Sequence, residues 1–178
     1  MSRIAYSDDE DFSGQFELWQ ANCDRSLAGR KGQTSLRQLE AALMALPKKR
    51  LVAHAVACEG DVCAVGAYLA LRRATDRGLT MVEAQQELES DMGPKDDQDD
   101  IDTAELGEKS GMPRLVAWKL GSLNDIELNH EIVTAEGPQH WGNEHYYEHG
   151  VRMSVNVTPE RRYELVLAFV HERIKQAA

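Results

Sequence analysis

The sequence predicts a mainly helical α+β domain of about five helices with a small antiparallel sheet or hairpin. Three observations point there. Apolar residues recur at spacings of three and four in several segments, and those segments carry residues that start or stop helices. One stretch near the C-terminus alternates apolar and polar residues with the period of a strand. With 178 residues, 42% hydrophobic and 28% charged, the chain has the composition of one globular domain, 1–178, able to bury roughly 70% of its unfolded surface. An acidic N-terminus (1–11) and an acidic loop (93–112) are expected to stay mobile around it.

Taken in order, Phe12, Phe16, Leu18 and Trp19 can form a short amphipathic segment that docks on the core. Leu36, Leu39, Leu43 and Leu46 follow at helical spacing, with Ser35 and Gln38 as a capping box at the start of that helix. Pro47 ends it, because proline has no amide donor and restricts its predecessor. The apolar run Leu51–Ala57 is compatible with a strand or a buried helix by periodicity alone. The turn-like Glu59-Gly60-Asp61 favours the strand.

Asp61 is placed to cap a helix carrying Val62, Cys63, Gly66, Ala67, Ala70 and Leu71, with Gly78 as its stop. Thr80 and Glu83 form another capping box, for a helix reaching Met92. Lys95 to Ser110 is rich in Asp and Glu and too poor in apolar residues to offset the entropy of ordering, so a loop is expected. Pro113 suits a first helical turn before Leu115, Val116, Leu120 and Leu123. Val151, Met153, Val155 and Val157 alternate with polar residues and can pair with Ile132-Val133-Thr134 as a hairpin. The terminal helix has Thr158 as N-cap, Pro159 at its first position and Glu160 at the positive end of its dipole. Tyr163, Val166, Leu167, Val170 and Ile174 form its core face.

Charge is strongly segregated within a net of -10. From Arg25 to Arg50 seven basic residues oppose Glu40 alone, giving +6, whereas from Glu83 to Glu108 eleven acidic residues oppose Lys95, giving -10. The acidic total disfavours direct binding to nucleic acid or to an anionic membrane. The start lacks the apolar run of a secretory signal and no eighteen apolar residues follow one another, so a cytoplasmic protein is expected. Cys23, Cys58 and Cys63, odd in number and set among apolar residues, read as reduced thiols.

Three segments, Glu59-Gly60-Asp61-Val62-Cys63-Ala64-Val65-Gly66-Ala67, Asn124-Asp125 and Thr158-Pro159-Glu160-Arg161-Arg162, carry a further signal. Together with Gly29-Arg30-Lys31-Gly32-Gln33 and Pro47-Lys48-Lys49-Arg50-Leu51, they resemble small uncharacterised proteins encoded by bacteriophages and prophages. The resemblance covers roughly residues 25–75 and 113–175. It implies a phage-type protein in the cytoplasm of a bacterial host and carries over no activity. The acidic loop and the histidine-rich loop depart from that pattern.

Several constellations carry possible chemistry. Cys63 beside a helix start has a dipole that favours thiolate, and Asp125 can orient a histidine, so these two are the candidates for a cysteine or metal-dependent hydrolase. His140, His145 and His149, with Glu144 or Glu148, are the candidate ligands for zinc. No cofactor is otherwise expected. Gly29-Arg30-Lys31-Gly32 reads as a loop whose glycine spacing is not that of a phosphate-binding motif. Trp141, Tyr146 and Tyr147 have the composition of a recognition loop, and Asp96, Asp97, Asp99 and Asp100 that of an acidic contact surface or a mimic of a phosphate backbone. Binding to a host or phage protein therefore ranks ahead of catalysis.

Overall fold

The computed structural model describes residues 12–92, 103–127, 130–135 and 151–176. These include seven α-helices and two two-stranded antiparallel sheets. The class is the expected one, with more helices than the sequence periodicity reveals.

Helix α1 (Phe12–Ala28) is longer than the short docking segment expected. Its Cys23 and Leu27, four residues apart, are buried, while Leu18 stays 60% exposed. Trp19 meets Trp118 edge to face, an arrangement favoured by the ring quadrupoles. Helix α2 (Arg30–Ala45) begins five residues before the expected capping box. Gly29 is its N-cap, in extended conformation and without a side-chain cap. Ser35 is instead buried inside the helix, and Gln38 accepts a hydrogen bond from the Tyr68 hydroxyl at 3.1 Å.

The α1–α2 corner explains this early start. A Cβ on Gly32 would stand 2.0 Å from the Ser26 carbonyl oxygen, so only glycine lets α2 begin against the end of α1. Buried Gln33 donates to the Leu27 carbonyl at 2.9 Å. The Gly29–Gly32 stretch is thus the entry into a helix rather than a loop. Leu36, Leu39 and Leu43 are fully buried, and α2 stops before Pro47 as expected.

Of the expected Leu51–Ala57 strand only Ala57 is in one, β1 (Ala57–Cys58), which pairs with β2 (Asp61–Val62). The preceding residues spend their amides elsewhere: Leu51 donates to Pro159 and Val52 to Val62. Glu59 (φ 52°) and Gly60 (φ 76°) make the tight turn in the sense that two-residue hairpins require. Asp61 does not cap the next helix. It lies in β2, almost fully buried, and binds the Arg50 guanidinium, with Lys48 3.9 Å away.

Helix α3 (Ala64–Arg77) is capped by Cys63, whose sulfur accepts from the Gly66 amide at 3.2 Å. It ends at left-handed Gly78, as its sequence predicts. Helix α4 (Met81–Met92) opens with the expected reciprocal box between Thr80 and Glu83. Helix α5 (Thr103–Lys109) occupies part of the stretch expected as a loop. Small residues resolve the discrepancy: Ala104 is 1% exposed, and a Cβ on Gly107 would lie 2.3 Å from the Ala117 Cβ, so α5 packs closely on α6 without large side chains. Residues 110–112 form the turn after α5, while 93–102 lie outside the described residues, as do 1–11.

Helix α6 (Arg114–Ser122) buries Val116, Ala117 and Leu120 and widens into one π-helical turn, Leu123–Glu127. Strands β3 (His130–Ala135) and β4 (Val151–Asn156) form the expected hairpin, with Ile132 opposite Ser154 and Val133 opposite Met153. Helix α7 (Pro159–Gln176) starts where its sequence predicts, Thr158 Oγ1 accepting from the Arg161 amide at 3.2 Å. Val166 and Val170 are fully buried and Tyr163 nearly so, in a core shared with α2, α3 and α6. No helix among the described residues is long and apolar enough to cross a membrane.

Candidate functional site

The π-helical turn after α6 places Asn124 at the junction of three distant chain segments. A π-turn displaces the backbone from the regular helical ladder and frequently marks a functional position. Asn124 has no exposed surface. Its Oδ1 accepts from the Ala64 amide at 3.3 Å, and its Nδ2 donates to the Val52 carbonyl at 2.8 Å and to Asp125 Oδ1 at 2.6 Å. Its backbone carbonyl accepts from Arg162 Nη1. One side chain thus holds the start of α3 and the 51–56 segment, while its carbonyl holds α7.

The neighbouring charges complete this junction. Asp125 Oδ1 also accepts from the His54 amide at 3.0 Å, which anchors His54 at φ 58°, a conformation that side chains other than glycine adopt at a cost. Arg162 is 5% exposed. Burial pushes its pKa down, and the Asp125 carboxylate opposes that shift. The sequence segments Glu59–Ala67, Asn124-Asp125 and Thr158–Arg162 therefore meet here through Cys63 and Ala64, Asn124 and Asp125, and Arg162.

Several residues of the Glu59–Ala67 segment have structural tasks at or beside this junction. Gly60 turns the β1–β2 hairpin, Val62 fills the core and Cys63 caps α3. Ala64 presents its amide to Asn124. A Cβ on Gly66 would come 2.1 Å from the Val56 carbonyl oxygen, so this position tolerates no side chain. Cys63 and Asp125 do reach one neighbourhood, as a hydrolase would need. However, the Cys63 thiol is 1% exposed, and its pKa is pushed up to about 12, mainly by burial, with the Gly66 amide opposing and Asp125 reinforcing the shift. The nucleophilic species is the thiolate, which this environment disfavours. The Cys58 thiol is also raised, first by burial and then by Glu59, Glu89 and Asp61.

Elsewhere the charge runs separate into engaged and unengaged groups. On α4, Glu83 bonds Thr80, Glu87 pairs with Arg77 at 2.7 Å, Asp91 pairs with Arg73 at 2.8 Å, and Glu89 accepts from the Gly60 amide at 2.9 Å. On α5, Glu105 pairs with Lys109 and Glu108 lies 3.6 Å from Arg114. The basic run divides differently. Arg50 and Lys48 face Asp61, and Lys49 donates to the last carbonyls of α2. Arg30, Lys31 and Arg37 are exposed and have no ion pair among the described residues.

Arg30, Thr34, Arg37, Ala41 and Met44 are all exposed and fall within one stripe of α2, being spaced by three and four. Met44 is 59% exposed. Sequence reasoning identifies the basic run but not this division, for which the alternation of polar and apolar positions along α2 is the available signal. It also misses His54 and the junction role of Asn124.

The candidate binding residues Trp141, Tyr146, Tyr147, Asp96, Asp97, Asp99 and Asp100 lie outside the described residues, as do the candidate zinc ligands His140, His145 and His149. Among the described residues no group of three or more His, Cys, Asp or Glu is placed to hold a metal ion. No protein-family model, no curated protein and no solved structure matches the chain.

Proposed function

We propose that the chain is a small accessory protein of phage type that acts by binding a host or phage protein in the bacterial cytoplasm. The observation that carries this reading is the basic stripe of α2, without an ion pair among the described residues, in a molecule whose other described surface charges largely pair internally. Arg30 and Arg37 stand about 10 Å apart along the helix axis, with Met44 a further ~10 Å on. Small Thr34 and Ala41 leave the backbone between them open to close approach. Such a surface offers two fixed cations and one adaptable apolar contact to an acidic partner. Trp141, Tyr146 and Tyr147, with Asp96, Asp97, Asp99 and Asp100, extend the proposed contact set. Burial of Cys63 and the raised pKa of its thiol favour binding over thiol catalysis.

Affinity capture from host lysate tests the reading with the Arg30→Glu/Arg37→Glu double variant beside the natural sequence. Both side chains are exposed, so stability should change by less than about 0.5 kcal/mol per site. Recovery of the partner should fall about 10-fold or more, and the natural chain's capture should weaken as salt rises. Undiminished capture by the double variant would remove α2 from the interface.

A further inference from the structure

We propose that the cleft between α3, α4 and α5 binds a small zwitterion with an apolar body, of which a free apolar α-amino acid is the simplest. This goes beyond the macromolecular reading and does not depend on it. The cleft is open to solvent and has a volume of about 320 Å³, at the lower end of the range for small-molecule sites, about 300–1,000 Å³. Leu69, Leu88, Met92 and Leu106 supply its apolar lining. That surface suits a branched aliphatic group and gives a highly polar molecule nothing to displace water from.

The ligand's charges follow from which charges of the cleft are already satisfied. Arg73 bonds Asp91 at 2.8 Å and reaches Glu87 at 3.7 Å, Arg77 bonds Glu87 at 2.7 Å, and Lys109 bonds Glu105 at 2.6 Å. Two lining charges remain, Arg72 and Asp76, whose side chains make no hydrogen bond or ion pair with a described residue. They stand one turn apart on α3, in the order basic then acidic, the less favourable sense for a pair along a helix.

A carboxylate on Arg72 and an ammonium on Asp76 would satisfy both groups at once. A simple anion would leave Asp76 opposing it, and a simple cation would meet Arg72. The guanidinium fork also matches a carboxylate in shape. Its position is defined: Arg72 Nη1 lies 3.5 Å from where a Cβ on Gly111 would stand, against the α5–α6 turn, where Gly111 has φ 89°. Arg72 and Asp76 also line an adjoining cavity of about 260 Å³ beside Tyr68 and Leu71. These two charges therefore stand where two hollows meet.

The test is an amide-resolved NMR titration of the full chain with four probes: L-leucine, 4-methylpentanoate, 3-methylbutylamine and glycine. Leucine should give saturable shifts in α3, α4 and α5. The acid lacking the amine, the amine lacking the acid, and glycine should each bind about 10-fold more weakly or worse. Arg72→Gln should weaken leucine about 10-fold. Asp76→Asn should weaken leucine while strengthening 4-methylpentanoate, whose carboxylate no longer meets an opposing charge. Spectra of the unliganded variants, unchanged away from the substitution, establish that both fold. Absence of saturable shifts with leucine would overturn the proposal, as would equal binding of leucine and 4-methylpentanoate or unchanged leucine affinity in either variant.

Discussion

The junction at Asn124 and the exposed stripe of α2 use polar residues in opposite ways. Around Asn124, the side-chain amide, the Asp125 carboxylate and the Arg162 guanidinium are joined to backbone groups from three parts of the chain. Along α2, Arg30, Lys31 and Arg37 project without an ion pair among the described residues. The junction contains the residues whose types suggest catalysis, Cys63 and Asp125, and commits them to holding the fold together. The α2 stripe has the composition of an ordinary solvated charge run and retains its capacity for intermolecular contact. A reactive residue type at a suggestive spacing is therefore a poorer guide to function than whether its polar atoms are already engaged.

Removing Asn124 should have the largest effect. Asn124→Ala would leave the Ala64 amide and Val52 carbonyl without that partner in a buried setting, a loss of about 3 kcal/mol. This corresponds to roughly 6–12 °C in Tm for a chain of this size. Urea and thermal unfolding would measure it, and a loss as small as that expected for the α2 double variant would break the contrast. Gly66→Ala should come next, at about 2 kcal/mol, because its new methyl meets a backbone oxygen that cannot rotate away.

The smallest effect belongs to exposed Glu83, whose pKa is lowered by hydrogen bonds from the Thr80 amide and hydroxyl. A lowered folded-state pKa gives stabilisation that is complete above the unfolded-state value and disappears as pH falls through the folded-state value. Glu83→Gln should therefore be less stable than the natural chain at neutral pH and converge with it in acid. A difference that persists undiminished at low pH would assign the effect to something other than ionisation.

Local rules make much of this architecture legible. Thr80 with Glu83, Gly78, Pro47 and the Thr158-Pro159 start all act where their chemistry predicts. The β3–β4 pairing is likewise readable from alternation. Legibility ends where close approach replaces large apolar side chains. Gly32 sets the beginning of α2 without a capping side chain, and Ala104 and Gly107 allow α5 to pack despite an acidic, apolar-poor sequence. Asn124 has the local signature of a turn residue, because its partners at Val52 and Ala64 are 72 and 60 positions away. Arg72 and Asp76 carry no sequence signal, since their significance depends on which neighbouring charges are paired.

The most direct test of the claim that the junction is committed to structure is residue-resolved alkylation of the native protein, with labelling at Cys63 followed by mass spectrometry. Its sulfur is 1% exposed, bonded to the Gly66 amide and has a pKa pushed up to about 12. Cys63 should label at the rate of global unfolding, after half-buried Cys58. Labelling of Cys63 in the native state at neutral pH, as fast as an exposed thiol, would contradict the account and restore this junction as a reactive site.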